Sequence, residues 1–223
     1  MRRMSELQMI YEILVADYGE PQWRVHLEPL DELISTILSQ NTNDVNRDRA
    51  FARLKDRYNN WELVVNAPTE EVAETIRPAG LANRKAPRIK NALEAVKREC
   101  GDYSLEFLRE MELGEARSWL LSLPGVGPKT AAIVLLFGFG RPAFPVDTHV
   151  HRVTRRLGVI SENTNAERAH QVLEKLIPPE QYYVFHLNLI SHGRAVCRAR
   201  NPQCVRCSLA TICKYNLALG TLD

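Results

Sequence analysis

Four of the chain's five cysteines fall within seventeen residues, at Cys197, Cys204, Cys207 and Cys213. The N-terminal stretch lacks the apolar run of an export signal, so we expect reduced thiols, and a metal site explains this density better than disulfides do. Zinc ribbons typically use two C-x2-C pairs, whereas here one such pair is flanked by gaps of six and five residues. The spacing therefore favours an iron–sulfur group, with zinc as the alternative. The remaining cysteine, Cys100, is expected to be an inert core or helix-end residue.

Helical periodicity runs through nearly every segment of the chain. Apolar residues recur at intervals of three and four, as Leu7, Ile10 and Leu14 in one segment and as Leu30, Leu33, Ile34, Ile37 and Leu38 in another. Residues suited to helix starts agree with this pattern, namely Ser5, Asn83, Ser104, Asp147 and Asn165 as N-caps and Pro128 at a first helical position. We predict an all-α fold of about ten to twelve helices.

Composition alone identifies no partner, because 223 residues with 45% hydrophobic content and a net charge of +2 are typical of many folded enzymes. The basic residues are concentrated in two stretches, however. One holds Arg84, Lys85, Arg88, Lys90, Lys97 and Arg98 against Glu94 alone, and the other holds Arg194, Arg198, Arg200, Arg206 and Lys214 with no acidic residue. Each stretch is either a face for nucleic acid or an ordinary solvated surface.

The longest nearly apolar run, from Ala131 to Gly140, has ten residues. A membrane-spanning helix needs about 20 such residues. We therefore expect no membrane role and a cytoplasmic location.

A glycine-containing turn is predicted within LPGVGPKTAAIVLLF, the segment from Leu123 to Phe137. Two glycines between an amphipathic stretch and an apolar one predict a helix, a tight hairpin and a second helix. The first amides of the second helix would then face outward, where they and the helix dipole favour a phosphate without reading any base edge. A helix–helix turn with glycine caps is the simpler alternative.

Lys129 lies in the first turn of the second helix, where the dipole end is positive and a cation is electrostatically misplaced. This position, next to the apolar wall that begins at Ala131, would make a neutral amine more available as a nucleophile. The alternative is a surface lysine near a phosphate.

Eighteen residues after Lys129, the segment PVDTHVHRVTRRL places Asp147 at the start of a helix. An N-cap role would be sufficient reason for an aspartate there, so catalysis needs further support. His149 and His151 lie two positions apart and cannot share one helix face, which argues against a metal pair.

Taken in this order, LPGVGPKTA, VDTHVHRV and the spacing of the four cysteines resemble the endonuclease III branch of the helix-hairpin-helix DNA glycosylases. The correspondence runs from about Asp31 to Lys214. The resemblance implies a bifunctional DNA glycosylase and apurinic-apyrimidinic lyase of base excision repair. Such enzymes usually remove oxidised pyrimidines and cleave the strand by β-elimination. The resemblance also implies that the four cysteines hold a 4Fe-4S cluster.

The fold implied by the resemblance has two helical lobes with a DNA groove between them. Residues 27–139 would form a six-helix barrel with the helix-hairpin-helix, and residues 1–26 with 140–223 would form the iron–sulfur lobe. The expected partner is double-stranded DNA that contains a damaged base or an abasic site. We expect a monomer associated with the nucleoid.

The resemblance assigns roles to two catalytic residues. The family's lysine at the position of Lys129 attacks C1′ of the damaged nucleotide, and the aspartate that matches Asp147 assists departure of the base. An imine between Lys129 and the sugar would acidify the 2′ position, which permits β-elimination on the 3′ side of the lesion.

DNA contacts are also implied by the resemblance, because the nucleotide must leave the stack before the lysine can reach C1′. Leu81 matches the wedge leucine, and Asn41 or its neighbour Gln40 matches the polar residue that fills the gap. The predicted backbone contacts are Gly125, Val126, Gly127 and Thr130. Two departures are visible, since the family commonly has glutamine at the position of Asn41 and often a basic residue at that of Pro128. Apart from the resemblance, Leu81 would be expected to pack in the core.

Three rival functions predict different features. A mismatch adenine or thymine glycosylase usually lacks a lysine at the position of Lys129. A non-catalytic DNA-binding module would not need Asp147 together with Lys129. An electron carrier built on the cluster would not depend on DNA at all.

Overall fold

The protein is described by a computed structural model over residues 2–220, with side chains from Glu6 onward. Every regular element within this range is helical, which confirms the all-α prediction. The chain forms two compact units. One is Val25–Arg141, and the other combines the residues before this segment, including helix α1 (Arg2–Tyr18), with those after it.

The unit Val25–Arg141 contains eight α-helical segments, and the structure describes all of its residues. They are α2 (Pro29–Ser39), α3 (Asp44–Arg57), α4 (Trp61–Asn66), α5 (Thr69–Thr75), α6 (Ala82–Cys100), α7 (Phe107–Glu110), α8 (Leu113–Ser122) and α9 (Pro128–Ile133). A 3-10 turn, Arg77–Ala79, precedes α6, and α9 continues directly into a π-helical turn, Val134–Gly138. Three of these segments are short, since α4, α7 and α9 have only six, four and six residues.

Helix α2 is the central element of this unit, where it contacts α3, α6, α9 and the π-helical turn. Its apolar residues at intervals of three and four are all buried, as predicted: Leu30, Leu33, Ile34, Ile37 and Leu38. The apolar face that follows the hairpin is buried as well, with Ala131, Val134 and Leu135 fully inaccessible. Burial of such faces supplies most of the stability of short helices. Packing of α2 against α9 therefore fixes the loop that follows α2 and the hairpin that precedes α9.

The second unit continues after α1 with four further α-helices in its described part. They are α10 (Thr148–Leu157), α11 (Ala166–Leu176), α12 (Tyr182–Ala195) and α13 (Lys214–Ala218). Helix α12 packs against α1 and α10, and its Phe185 and Leu189 are fully buried. The predicted apolar face of α1, formed by Leu7, Ile10 and Leu14, is buried too.

Three of the predicted helix starts are confirmed. The Asp147 side chain accepts a hydrogen bond from the amide of Val150 at 2.7 Å and caps α10. Asn165 caps α11 in the same way through the amide of Arg168 at 2.8 Å. Pro128 is the first residue of α9, where its missing N–H leaves no hydrogen bond unmade.

Two predicted helix starts are wrong. Helix α6 begins at Ala82, so Asn83 lies inside its first turn, because an unforeseen left-handed residue precedes the helix. Ser104 accepts a bond from the amide of Glu106 within the loop before α7 and caps no helix. Ser5 lies within α1, and its side chain is outside the described residues.

The apolar run that begins at Ala131 is folded into α9 and the π-helical turn. Between residues 2 and 220, no helix has both the length and the apolarity that crossing a membrane would require.

Candidate functional site

The hairpin between α8 and α9 is a tight turn that requires glycine at its centre. The amide of Val126 donates to the carbonyl of Leu123 at 3.1 Å, and Gly125 has φ of +83°. A Cβ atom on Gly125 would lie 2.6 Å from Cδ of Arg88, a contact that real side chains do not make. Gly125 is therefore favoured by its left-handed backbone, and a larger residue there would also displace the Arg88 side chain.

The backbone amides around the turn differ in whether they already donate a hydrogen bond. Within the described chain, the amides of Gly125 and Gly127 donate to no other group, whereas that of Val126 is used by the turn. The side chains of Val126 and Thr130 are buried, at 7% and 4% exposure, so only their backbone could face a ligand. Free amides at the start of a helix are suited to a phosphate oxygen.

Lys129 is the second residue of α9 and is half-buried. Its ammonium group has no hydrogen-bond or ion-pair partner among the described residues, in contrast to the paired Lys55, which contacts Asp31 at 3.0 Å. A lysine without a partner at the positive end of a helix is available for reaction or for binding an anion.

Gln40 and Asn41, which follow α2, have different surroundings. The Gln40 side chain donates to the carbonyl of Gly125 at 2.9 Å and accepts from Arg88 at 3.1 Å. Asn41 is exposed and left-handed, with φ of +54°, a conformation that asparagine tolerates. Gln40 therefore ties this loop to the hairpin, and the Asn41 side chain remains free to contact a ligand.

Leu81 precedes α6 in a conformation that a leucine rarely adopts. Its φ is +51°, and its side chain is 47% exposed. The left-handed region costs a residue with a Cβ about 1–2 kcal/mol. The exposure excludes the core-packing alternative for Leu81. A strained backbone thus presents an apolar side chain to solvent.

Replacing Leu81 with asparagine is expected to keep or raise the free energy of unfolding, by up to about 1 kcal/mol, because asparagine tolerates the left-handed region. If Leu81 is the wedge that the resemblance implies, the affinity for a duplex with an abasic-site analogue should fall about tenfold. Urea unfolding and fluorescence anisotropy measure the two effects. Leu63→Asn, at a similarly exposed leucine of α4 (46%), is the matched control. An unchanged affinity of Leu81→Asn would contradict the wedge role.

The basic stretch from Arg84 to Arg98 is not a uniform surface, which corrects the sequence-based prediction. Lys85 is 1% exposed, and its ammonium donates to the carbonyls of Leu38 and Ala79 at 2.8 and 2.7 Å. Lys90 also turns toward the protein and donates to the carbonyl of Ala67 at 2.6 Å. Burial lowers the pKa of Lys85 to about 8. Lys85 lies near the start of a helix, and a cation in this position is the same sequence feature that singled out Lys129.

The second basic stretch does lie at the surface. Its five cations, Arg194, Arg198, Arg200, Arg206 and Lys214, are all exposed. Such a cluster is suited to a polyanion.

In the second unit, Asp147 uses only part of its carboxylate for capping. Oδ1 accepts the bond from Val150, and Oδ2 has no partner within the described residues. The side chain is half-exposed. The capping and catalytic roles of Asp147 are therefore compatible, because they involve different oxygen atoms.

The segment that leads to Asp147 is held by residues that the sequence did not single out. His170 and His186 contact the carbonyls of Phe144 and Pro145 through their Nδ1 atoms, at 3.0 and 2.9 Å. The carboxylate of Glu174 accepts the amide of Phe144 at 2.9 Å. Because these groups are buried or partly buried, they fix the backbone immediately before Asp147.

Helix α10 connects this segment to the cysteine loop, residues 197–213, which carries the four cysteines. Arg152 donates to the carbonyls of Gly193 and Cys197, at 2.8 and 3.0 Å. Arg156 donates to the carbonyl of Arg198 at 2.7 Å and lies 3.4 Å from Sγ of Cys197. These arginines hold the start of the loop in place and bring positive charge to a cysteine sulfur.

The four cysteines line one cavity together with residues of α10 and with His192. Nε2 of His192 lies 3.6 Å from Sγ of Cys207. Burial raises the pKa of the Cys207 thiol to about 11, and the other three cysteines add to the rise. In the described chain, no three His, Cys, Asp or Glu side chains are arranged to hold a single metal ion. Cys100, in contrast, is exposed at the end of α6. Of the core and helix-end positions expected for it, Cys100 therefore has the second.

Comparisons with known proteins identify the family of the chain. Residues 34–179 match the family described as HhH-GPD superfamily base excision DNA repair protein. Endonuclease III of Thermotoga maritima is 35% identical over 195 residues, which cover 87% of each chain. These matches confirm the resemblance on which the site residues were assigned.

Two solved structures extend the similarity to the fold. An endonuclease III in a non-covalent complex with DNA has a TM-score of 0.85 and is 29% identical, covering 97% of this chain and 98% of the other. A thermostable thymine-DNA glycosylase has a TM-score of 0.80 and is 25% identical, covering 96% and 98%. The chain therefore belongs to the HhH-GPD superfamily of base excision DNA repair proteins and is a DNA glycosylase of the endonuclease III type.

Proposed function

We propose that the protein is a bifunctional glycosylase and apurinic-apyrimidinic lyase in which Lys129 is the nucleophile and Asp147 assists departure of the base. The observation that carries this proposal is the unpartnered Lys129 at the start of α9, directly after a hairpin with free amides. The free Oδ2 of Asp147 is compatible with the second role, since capping uses only Oδ1.

The proposed reaction begins when the Nζ electron pair of Lys129 forms a bond to C1′ of the damaged nucleotide. The bond from C1′ to the base breaks, and the base leaves with the electron pair of this broken bond and takes up a proton. Nitrogen loses a proton and its electron pair forms the double bond to C1′, while the bond from C1′ to O4′ breaks and O4′ takes up a proton. The resulting imine acidifies the 2′ position. Removal of a 2′ proton then expels the 3′ phosphate, which cleaves the strand on the 3′ side of the lesion.

The substrate that we propose is double-stranded DNA with an oxidised pyrimidine or an abasic site, bound by a monomer associated with the nucleoid. Leu81 would enter the stack as the wedge, and the exposed Asn41 would fill the gap, because Gln40 is already bonded to the hairpin. The amides of Gly125 and Gly127 would bind a phosphate, and the backbone of Val126 and Thr130 would lie beside it. Pro128 offers no amide, so this chain would make one phosphate contact fewer than relatives with a basic residue there.

A 4Fe-4S cluster is proposed as the cofactor, held by Cys197, Cys204, Cys207 and Cys213. The residues fit such a group, because all four line one cavity that has no carboxylate in its lining, and thiolates prefer iron and other soft metals. Arg156 beside Cys197 would offset the negative charge of a thiolate. When bound, the cluster would supply four metal–sulfur bonds that brace a basic loop against α10.

Replacing Cys204 with serine is expected to remove the yellow-brown colour and the absorbance near about 400 nm that a cluster gives, because one of four thiolate ligands is lost. Cys100→Ser is the matched control, since Cys100 lies in the other unit. Iron and sulfide analysis with the absorbance spectrum measures the effect. A colourless native protein that contains zinc would return the site to the zinc alternative.

Borohydride trapping on a duplex with an oxidised pyrimidine tests the proposed activity as a whole. A covalent adduct with native protein supports imine chemistry. Its absence, both on this lesion and on a plain abasic site, would leave a monofunctional glycosylase as the better description. Affinity should also fall as salt rises, since phosphate contacts release counterions.

A further inference from the structure

Lys85 is the most unusual charged residue of the unit Val25–Arg141. It is 1% exposed, and in the described structure no carboxylate pairs with it. A buried ammonium without a counter-ion is unfavourable for folding compared with an apolar side chain of the same size. Burial lowers its pKa to about 8, which reflects the same cost. A residue that is unfavourable for stability and still fully enclosed calls for another role.

The two groups that Lys85 contacts are both carbonyls at helix ends. Leu38 is in the last turn of α2, and Ala79 is the last residue of the 3-10 turn before α6. Carbonyls in such positions have no partner within their own helix and lie at the negative end of the helix dipole. One ammonium therefore satisfies two carbonyls from chain segments that are about forty residues apart in sequence.

Both carbonyls lie just before Asn41 and Leu81, the residues that we propose enter the DNA stack. Leu38 is three residues ahead of Asn41, and Ala79 is two residues ahead of Leu81. Asn41 and Leu81 are the two non-glycine residues of the described part of this unit with positive φ, at +54° and +51°. The bonds of Lys85 thus connect the bases of two loops whose left-handed residues, Asn41 and Leu81, are exposed.

The next inward-facing cation of α6 connects the hairpin to the same arrangement. Arg88 follows Lys85 by three positions, donates to Gln40 at 3.1 Å and packs on Gly125. Lys85 and Arg88, three positions apart, lie on one face of α6, and Leu81 immediately precedes this helix. This face joins the wedge, the loop after α2 and the hairpin.

We propose that Lys85 is a positioning residue, which holds the loops of Asn41 and Leu81 at a fixed separation so that both side chains enter the duplex at one lesion. This inference rests on the proposed function, because it needs both side chains to act on DNA. Lys85 itself touches neither substrate nor reacting atoms. Its effect should therefore appear in recognition of the lesion and not in general affinity for DNA.

The experiment replaces Lys85 with methionine, which keeps the length of the side chain and removes the donors. Lys90→Met is the matched control, because Lys90 lies on the same helix and also donates to a backbone carbonyl, that of Ala67. Dissociation constants are measured for two duplexes, one with a tetrahydrofuran abasic-site analogue and one undamaged. Fluorescence of 2-aminopurine placed opposite the analogue reports whether the stack is opened.

We expect Lys85→Met to lower the ratio of the two affinities about tenfold and to abolish the fluorescence rise, while Lys90→Met changes neither more than about twofold. A merely structural role would lower the melting temperature and the active fraction but leave the ratio and the fluorescence of the folded fraction unchanged. That result would overturn the proposal.

Two further outcomes are distinguishable from these. A native protein that does not prefer the analogue would contradict the proposed function itself. Should Lys85→Met lack the native circular-dichroism spectrum, Lys85→Leu, which is apolar and also has no donor, is measured in its place. An unchanged ratio in that folded variant would overturn the positioning role, and a reduced one would support it.

Discussion

Replacing Lys129 with alanine is expected to abolish strand cleavage and the borohydride-trapped adduct, with a loss of at least about 10³-fold in lyase rate. Binding to a duplex with an abasic-site analogue should stay within about threefold of native, because the free amides of Gly125 and Gly127 and the other cations remain. Both quantities can be measured on one labelled duplex, by gel electrophoresis after borohydride and by anisotropy without it.

Lys129→Arg is the control that separates the two explanations for this residue. Arginine keeps the positive charge near a phosphate but is always protonated, so it cannot form an imine. If Lys129 only contacts a phosphate, Lys129→Arg should cleave like native protein. If it is the nucleophile, Lys129→Arg should bind well and fail to cleave. Cleavage that survives in Lys129→Ala would exclude the nucleophile assignment.

The fold was predictable from sequence wherever it depends on local periodicity. The apolar residues of α2, from Leu30 to Leu38, repeat at helical intervals and are buried. Asp147 and Asn165 could be recognised as helix starts because their capping bonds reach only three residues along the chain. Patterns of this kind record which face of a helix is buried and where it begins.

Long-range hydrogen bonds could not be predicted, and they determine the details of the site. Gln40 bonds to the carbonyl of Gly125, 85 positions away, and Lys85 bonds to that of Leu38, 47 positions away. Neither side chain carries a local pattern that would identify its partner. Lys85 therefore looked like one more member of a basic surface. The left-handed backbone of Leu81 could not be predicted either, because leucine has no propensity for that region.

In each unit, one helix contacts several of the segments that carry candidate site residues. In the unit Val25–Arg141 it is α6, whose Lys85 and Arg88 join three loops. In the other unit it is α10, which begins at the cap Asp147 and carries Arg152 and Arg156 to the cysteine loop. A single helix of ten residues therefore links Asp147 to the loop that carries the four cysteines.

The roles of Asp147 in capping and catalysis can be separated because asparagine retains one of them. Asparagine is as good an N-cap as aspartate, so the bond to the amide of Val150 survives in Asp147→Asn. The negative charge is lost, and with it any assistance to departure of the base. Alanine removes both the cap and the charge.

We expect Asp147→Asn to lower the glycosylase rate about 10²- to 10⁴-fold while its melting temperature stays within about 1 °C of native. Asp147→Ala should lose a similar factor in rate and also about 1 kcal/mol of stability, a fall of about 2–4 °C for a chain of this size. Single-turnover kinetics on a damaged duplex and calorimetric melting measure the two effects. A pair of variants that differ in melting temperature and share a native rate would assign Asp147 to capping alone. The same pair with a shared loss of rate would assign catalysis to the carboxylate itself, because the only property common to both variants is the missing charge.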